Sequence, residues 1–149
     1  MVKLLLIAFL LTLASAGCAA TSSSPQIASP RSWRSYEVID HLQFSGVPAG
    51  AAWLLGPDEL ASLPHVPVEA HQFSIVILPV CAVCKGRVYS FASEADAADA
   101  SAFLAALAAG GSSEFAWVYG RDNVVVLLDQ AVPAKWARLY DSALHDMGD

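Results

Sequence analysis

The chain has 149 residues, with 14 acidic against 8 basic side chains and a formal net charge of −6 at pH 7. This acidic balance argues against a nucleic-acid-binding protein and against a basic patch for membrane surfaces. The length suits one domain with a substantial core once an N-terminal signal is set aside.

The first 18 residues have the pattern of an export signal. Lys3 precedes an apolar run at residues 4–13, and small residues follow as far as Cys18. A basic start, a short apolar core and a small-residue cleavage region are typical of a secretory signal peptide and not of a transmembrane helix. We therefore expect residues 1–17 to be removed and the protein to work outside the cytoplasm.

The sequence Ser15-Ala16-Gly17-Cys18 resembles the lipobox of bacterial lipoproteins, in which the chain is cut before a cysteine that carries acyl chains such as palmitate. The resemblance implies that Cys18 is lipidated and anchors the protein to a membrane of the cell envelope, on its extracytoplasmic side. Most members of that family have leucine where this chain has Ser15. The alternative is cleavage after Ala16 by an ordinary signal peptidase, which would leave Cys18 as a free thiol.

Residues 18–34 have the composition of a flexible tether that follows the lipidated cysteine. They are rich in Ser, Pro and Ala and almost uncharged, so they cannot bury enough apolar surface to fold. We expect them to hold a single α/β domain, residues 35–149, away from the bilayer, with the folded part starting near Trp33. The longest later apolar runs, residues 75–84 and 102–109, are shorter than the roughly 20 residues that span a bilayer.

The first half of the domain predicts two helices around a short strand. Ser35 can cap a helix over residues 36–45, which ends at Gly46. A possible strand at residues 51–55 precedes a short helix that begins at Pro57.

The second half predicts four strands and two helices. The strands are β-branched or alternate between apolar and polar positions, and Ser93 caps the longer helix. The predicted strands cover residues 73–78, 87–91, 114–119 and 123–128, and the predicted helices cover residues 94–109 and 133–147.

This order of elements predicts an α/β (α+β) fold, a two-layer sandwich in which a mostly antiparallel sheet of four to five strands has its helices packed on one face. The longer helix would cross between two strands as in a split β-α-β unit. The helix and glycine turn at residues 36–47, with the aromatic strand 117–119 next to the aliphatic strand 123–128, resemble small uncharacterised bacterial lipoprotein domains. The likeness covers residues 35–147 and implies no known reaction.

Cys81 and Cys84 form the one Cys-x-x-Cys motif of the chain and are the sharpest candidate site. If Cys18 carries lipid, these two thiols have only each other, and a pair outside the cytoplasm is expected to be oxidised. We favour a structural disulfide across a hairpin turn.

Two alternatives use the same cysteines. A thioredoxin-like redox pair would place the first cysteine at a helix N-terminus, whereas the residues after Cys84 read as turn and strand. A zinc or copper site would need further ligands, and His65 and His71 are the candidates.

The other polar side chains predict no catalytic set. His41 is expected on the exposed side of the first helix, His145 near the end of the last one, and the acids at the start of the helix over residues 94–109 suit its positive end. Four aromatic side chains are expected in the core: Trp117, Tyr119, Trp136 and Tyr140.

These patterns favour a non-enzymatic, lipid-anchored domain that binds a protein or small-molecule partner at the cell envelope. No metal, cofactor or nucleic acid is expected to take part. The alternative hypothesis is a membrane-tethered thiol–disulfide protein that works through Cys81 and Cys84.

Overall fold

The computed structural model describes residues 31–148, in which four helices and five strands are present. The bounds of the helices are close to the predicted ones, and those of α3 are identical to them. In chain order the elements are α1 (Ser35–Phe44), β1 (Ala52–Leu54), α2 (Pro57–Leu60), β2 (Glu69–Ile77), β3 (Cys81–Ser90), α3 (Glu94–Ala109), β4 (Phe115–Arg121), β5 (Val124–Asp129) and α4 (Ala134–His145).

The predicted signal peptide and Cys18 lie outside the described residues, so both stay predictions. Within residues 31–148, none of the helices is both long enough and apolar enough to span a bilayer.

The five strands form one antiparallel sheet in the order β1-β2-β3-β5-β4. Because β5 pairs with both β3 and β4, those two strands run parallel to each other, and α3 crosses between them. This is the predicted split β-α-β unit. The α/β class and the antiparallel sheet are confirmed.

Helices cover both faces of the sheet, whereas the order of elements predicts them on one face. Side chains alternate along β5, so Val124 and Val126 join one buried cluster while Val125 and Leu127 join another on the opposite face. The first cluster includes side chains of α1 and α4, and the second includes side chains of α3. A strand buried on both faces reads as a continuous apolar run, as residues 124–128 do.

Ser35 does not cap α1, in contrast to the prediction. Arg34 is the N-cap residue, and its backbone N–H donates to the Glu37 carboxylate at 2.9 Å. Ser35 is already inside the helix and buried, with its hydroxyl oxygen 2.9 Å from Glu69 Oε2 and 2.7 Å from His71 Nδ1. The hydroxyl therefore joins α1 to β2 through hydrogen bonds, and β2 lies against this end of the helix.

The described chain enters the fold at one end of the sheet. Trp33 is buried, and its backbone N–H donates to the Asn123 side chain at 2.7 Å. The amide of Asn123 donates in turn to the carbonyls of Trp33 and Phe91, the residue that follows β3. Trp33 therefore packs with the folded part, at the opposite end of β3 from the β2–β3 turn.

Candidate functional site

The β2–β3 hairpin places the two cysteines in a strand and not in a turn, which corrects the sequence prediction. The turn is formed by residues 78–80, and β3 begins at Cys81. Lys85 and Gly86, which precede the strand predicted at residues 87–91, lie within β3, where they pair with Ser74 and Phe73 of β2.

Cys81 and Cys84 are disulfide-bonded, with their Cα atoms 5.7 Å apart. Ile75 lies opposite Cys84 and Ile77 opposite Cys81, so β3 takes three residue steps where β2 takes two. This is a β-bulge. Residues three apart in a regular strand point to opposite faces, and the extra residue turns both cysteines to the same face. The two cysteines are therefore bonded to each other as predicted, but within one strand and not across a turn.

The surroundings of the disulfide differ from those expected for a thioredoxin-like pair. Both cysteines are buried and belong to the same cluster as Ile75 and Ile77. Cys81 begins a strand, so no helix N-terminus is present there to stabilise its thiolate. The geometry suits a bond that fixes the bulge at the end of the hairpin.

The structure does not bring the two candidate histidine ligands to the cysteines. His65 lies beside α3, with its ring nitrogens 3.5 Å from Asp96 and 3.2 Å from Asp99. His71 bonds to Ser35 and lies opposite Val88, four residues along β3 from Cys84. Among residues 31–148, no group of three or more His, Cys, Asp or Glu side chains could hold a metal ion.

The opposite side of the same hairpin exposes a group of aliphatic side chains. We call residues 76–83 the hairpin tip. Val76 lies between the buried Ile75 and Ile77, so its side chain points to the face away from the disulfide. In the register of the hairpin it lies across from the bulge of β3. The exposed fractions are 53% for Val76, 75% for Leu78, 59% for Val80 and 84% for Val83.

Polar side chains separate this tip from the second buried cluster. We call Gln72, Lys85, Arg87 and Glu114 the polar belt. The Arg87 guanidinium donates to Gln72 at 2.9 Å and lies 3.5 Å from Glu114, which also pairs with Lys85 at 3.7 Å. The exposed side chains of the tip therefore form an apolar surface that is separate from the second buried cluster, whereas Ile77 and Cys81 face the first cluster.

A second polar group joins α1 to β2, and it gives Ser35 and His71 a role other than the predicted helix cap and metal ligand. A cavity of about 370 Å³ lies beside His71 and is also lined by Tyr36, Asp40 and Gln43. Ser35, which bonds to His71, has no exposed surface. Its hydroxyl therefore cannot serve a molecule in the cavity as a nucleophile, and the contact is structural.

His41 is half-buried, and the prediction that it lies on the exposed side of α1 is wrong. Its Nε2 atom is 2.9 Å from the carbonyl oxygen of Ala143, so the ring bonds α1 to α4. His145 is exposed at the end of α4, as predicted, and its Nδ1 atom is 2.9 Å from the Asp141 carbonyl oxygen.

The four aromatic side chains belong to the core or pack against it, as predicted. Tyr140 is fully buried, its hydroxyl donates to the Pro48 carbonyl, and burial raises its pKa above 10. Trp117 donates its indole N–H to the Val132 carbonyl at 2.9 Å, and Trp136 and Tyr119 pack on the first cluster.

No family model, no curated protein and no solved structure matches the chain significantly. Function is therefore inferred from the residues and from their arrangement.

Proposed function

We propose that this protein is a lipid-anchored component of the bacterial cell envelope whose domain acts by binding and not by catalysis. The lipobox-like segment ending at Cys18 supports the anchor. The bond between Cys81 and Cys84 is consistent with an oxidising compartment outside the cytoplasm.

The exposed aliphatic hairpin tip is the observation that carries the binding function. Exposed apolar groups that lie together on a surface mark interaction sites more often than single ones do. The tip offers apolar contact area but no acid, base or nucleophile, because its side chains are those of Val, Ile, Leu, Pro, Ala and Cys. A binding surface is therefore the simplest role for it.

The anchor is tested by mass spectrometry of the mature N-terminus after expression in a bacterial host. We expect a chain that begins at Cys18 and carries acyl chains, and we expect Cys18→Ala to leave the membrane fraction. Ser15→Leu is the matched control, because it completes the lipobox and should leave the product unchanged. An unmodified chain that begins at Gly17 would contradict the anchor.

The disulfide itself favours one second candidate, a membrane-tethered thiol–disulfide protein. An insulin-reduction assay separates the two functions. Because both sulfurs are buried, we expect no turnover and a reduction potential in the range of structural disulfides. Turnover that disappears in Cys81→Ser would instead support the redox function.

A further inference from the structure

We propose, on the basis of the anchor at Cys18, that the hairpin tip inserts into the same bilayer that holds the lipid. The domain would then contact the membrane at two separate points. Four features support this inference: the chemistry of the tip, its rigid support, the charges behind it and the length of the preceding chain.

The side chains of the tip suit hydrocarbon better than a protein surface. Residues 75–84 include no charged, amide, hydroxyl or aromatic side chain. Protein interfaces are enriched in aromatic residues and arginine, and hydrogen bonds fix their specificity. Side chains that enter the hydrocarbon of a bilayer need no hydrogen-bonding partner there, so the composition of the tip suits it. A shallow insertion leaves the peptide groups of the turn among headgroups and water, which can satisfy them.

The tip is held in shape by the strands behind it. The disulfide lies on the opposite face and closes a covalent ring that runs from Cys81 to Cys84. Val83 lies inside this ring, so its backbone has little freedom to move. The ring of Phe73 lies over Gly86 of the facing strand, where a Cβ atom would overlap it. A rigid tip loses little conformational entropy when it inserts, which favours binding.

The charges behind the tip suit the level of the headgroups. Lys85 is the first charged residue after the tip; 43% of its side chain is exposed, and it pairs with Glu114 at 3.7 Å, so the charges at this level are of both signs. Long basic side chains can bury their apolar stems while the charged end stays in the interface. The chain as a whole is acidic, but the tip itself carries no negative charge to repel anionic headgroups.

The chain before the domain is long enough for both contacts. Trp33 enters the fold at the end of the sheet far from the tip, so both contacts are possible only if residues 19–32 can span the length of the sheet. β3 has 10 residues and extends about 33 Å. Residues 19–32 can span at most about 48 Å.

The test joins the oxidised mature chain, residues 18–149, through the Cys18 thiol to a maleimide lipid in phosphatidylcholine vesicles. Cys18 is the free thiol because the other two cysteines are bonded to each other. Leu78→Trp adds an indole at the tip. Val66→Trp adds an indole at an exposed position far from the tip. Val68, two residues later, donates a backbone hydrogen bond to Ser90, which ends β3 at the far end of the sheet. Brominated phosphatidylcholine quenches an indole that touches hydrocarbon.

We expect severalfold more quenching, above the wild-type signal, for Leu78→Trp than for Val66→Trp. The excess should disappear when Val83→Asp is added and remain when Val68→Asp, a matched change at another exposed valine, is added instead. Circular dichroism and thermal unfolding establish that each variant is folded.

Equal quenching at the two positions, or more at residue 66, would overturn the proposal. So would a concentration-dependent dimer of the unlipidated Cys18→Ser chain that Val83→Asp abolishes, since the tip would then bind a second copy. Chemical coupling replaces acylation by the cell, so failure here leaves the anchor proposal intact. The N-terminal mass tests that proposal independently.

Discussion

At the scale of single residues, Gly86 shows why a residue interpreted as a turn former belongs to a strand. It lies directly opposite Phe73, and the ring of Phe73 occupies the space that a side chain at residue 86 would take. Glycine at this position allows the Phe73 ring to approach the backbone of β3 closely, and it does not form a turn. The sequence alone offers no means of separating these two uses, because the partner of residue 86 lies 13 positions earlier.

Gly86→Ala should therefore destabilise the fold. The added Cβ atom overlaps the Phe73 ring, and overpacking of this kind costs about 1–3 kcal/mol in the free energy of unfolding. Urea unfolding measures the change. Gly110→Ala is the control, because residue 110 has a negative φ and the closest atom to an added Cβ there is the Ala106 carbonyl oxygen at 3.4 Å, an ordinary contact; this change should be nearly neutral.

The buried Tyr140 should make stability fall at alkaline pH. Burial raises its pKa above the ordinary value of 10, so the unfolded chain ionises first and binds fewer protons than the folded one. The contribution of Tyr140 to the free energy of unfolding is complete below pH 10. Above pH 10 it decreases by up to about 1.4 kcal/mol per pH unit for one tyrosine.

Tyr140→Phe isolates this effect. At neutral pH the variant should be less stable, because it lacks the hydrogen bond to Pro48. Above pH 10 the difference from wild type should shrink, as measured by urea unfolding at several pH values. A constant difference would contradict the prediction, and Tyr36→Phe at an exposed position is the control.

At the scale of elements, β3 contains most of the difference between sequence and structure. The predicted strand began at residue 87, whereas the observed one begins at Cys81. The apolar run at residues 75–84 was visible in the sequence, but where it folds back, and which of its side chains face solvent, depends on the bulge. A bulge changes the pairing register by one residue, and no local pattern specifies it.

Removing the disulfide should weaken the hairpin by a modest amount. A loop this short contributes about 2 kcal/mol according to the loop-entropy estimate. Comparison of the oxidised and reduced protein in urea measures this value, and the Cys81→Ala, Cys84→Ala double variant should not respond to reductant. A much larger loss would mean that the bond also holds the core together.

At the scale of the whole molecule, two buried clusters share one sheet. β3 and β5 contribute side chains to both, so the sheet is the middle layer between α1 and α4 on one face and α3 on the other. The sequence predicts the class, the strands and the crossover correctly, but it predicts a single helical layer. The number of layers depends on which face each connection crosses, and helical periodicity does not contain that information.

Neighbouring leucines of β5 provide a test of this arrangement. Leu127→Ala and Leu128→Ala open cavities on opposite faces, and each should cost about 2–5 kcal/mol in the free energy of unfolding. If helices covered one face alone, one of the two changes would behave like a surface substitution, within about 0.5 kcal/mol. Val76→Ala at the exposed tip is the control for a surface change.

The sequence by itself determined the elements whose signals are local. Ser93 caps α3, Gly46 and Gly111 adopt positive φ after α1 and α3, and the alternating and apolar runs form strands. Counting the cysteines also favoured the pairing of Cys81 with Cys84, on the condition that Cys18 carries lipid. Tertiary structure decided the second helical layer, the bulge that turns both cysteines inward, and the exposure of the aliphatic tip. The second layer arises from contacts between distant segments, the bulge arises from the register in which β2 pairs with β3, and the exposure of a side chain is a property of the folded whole.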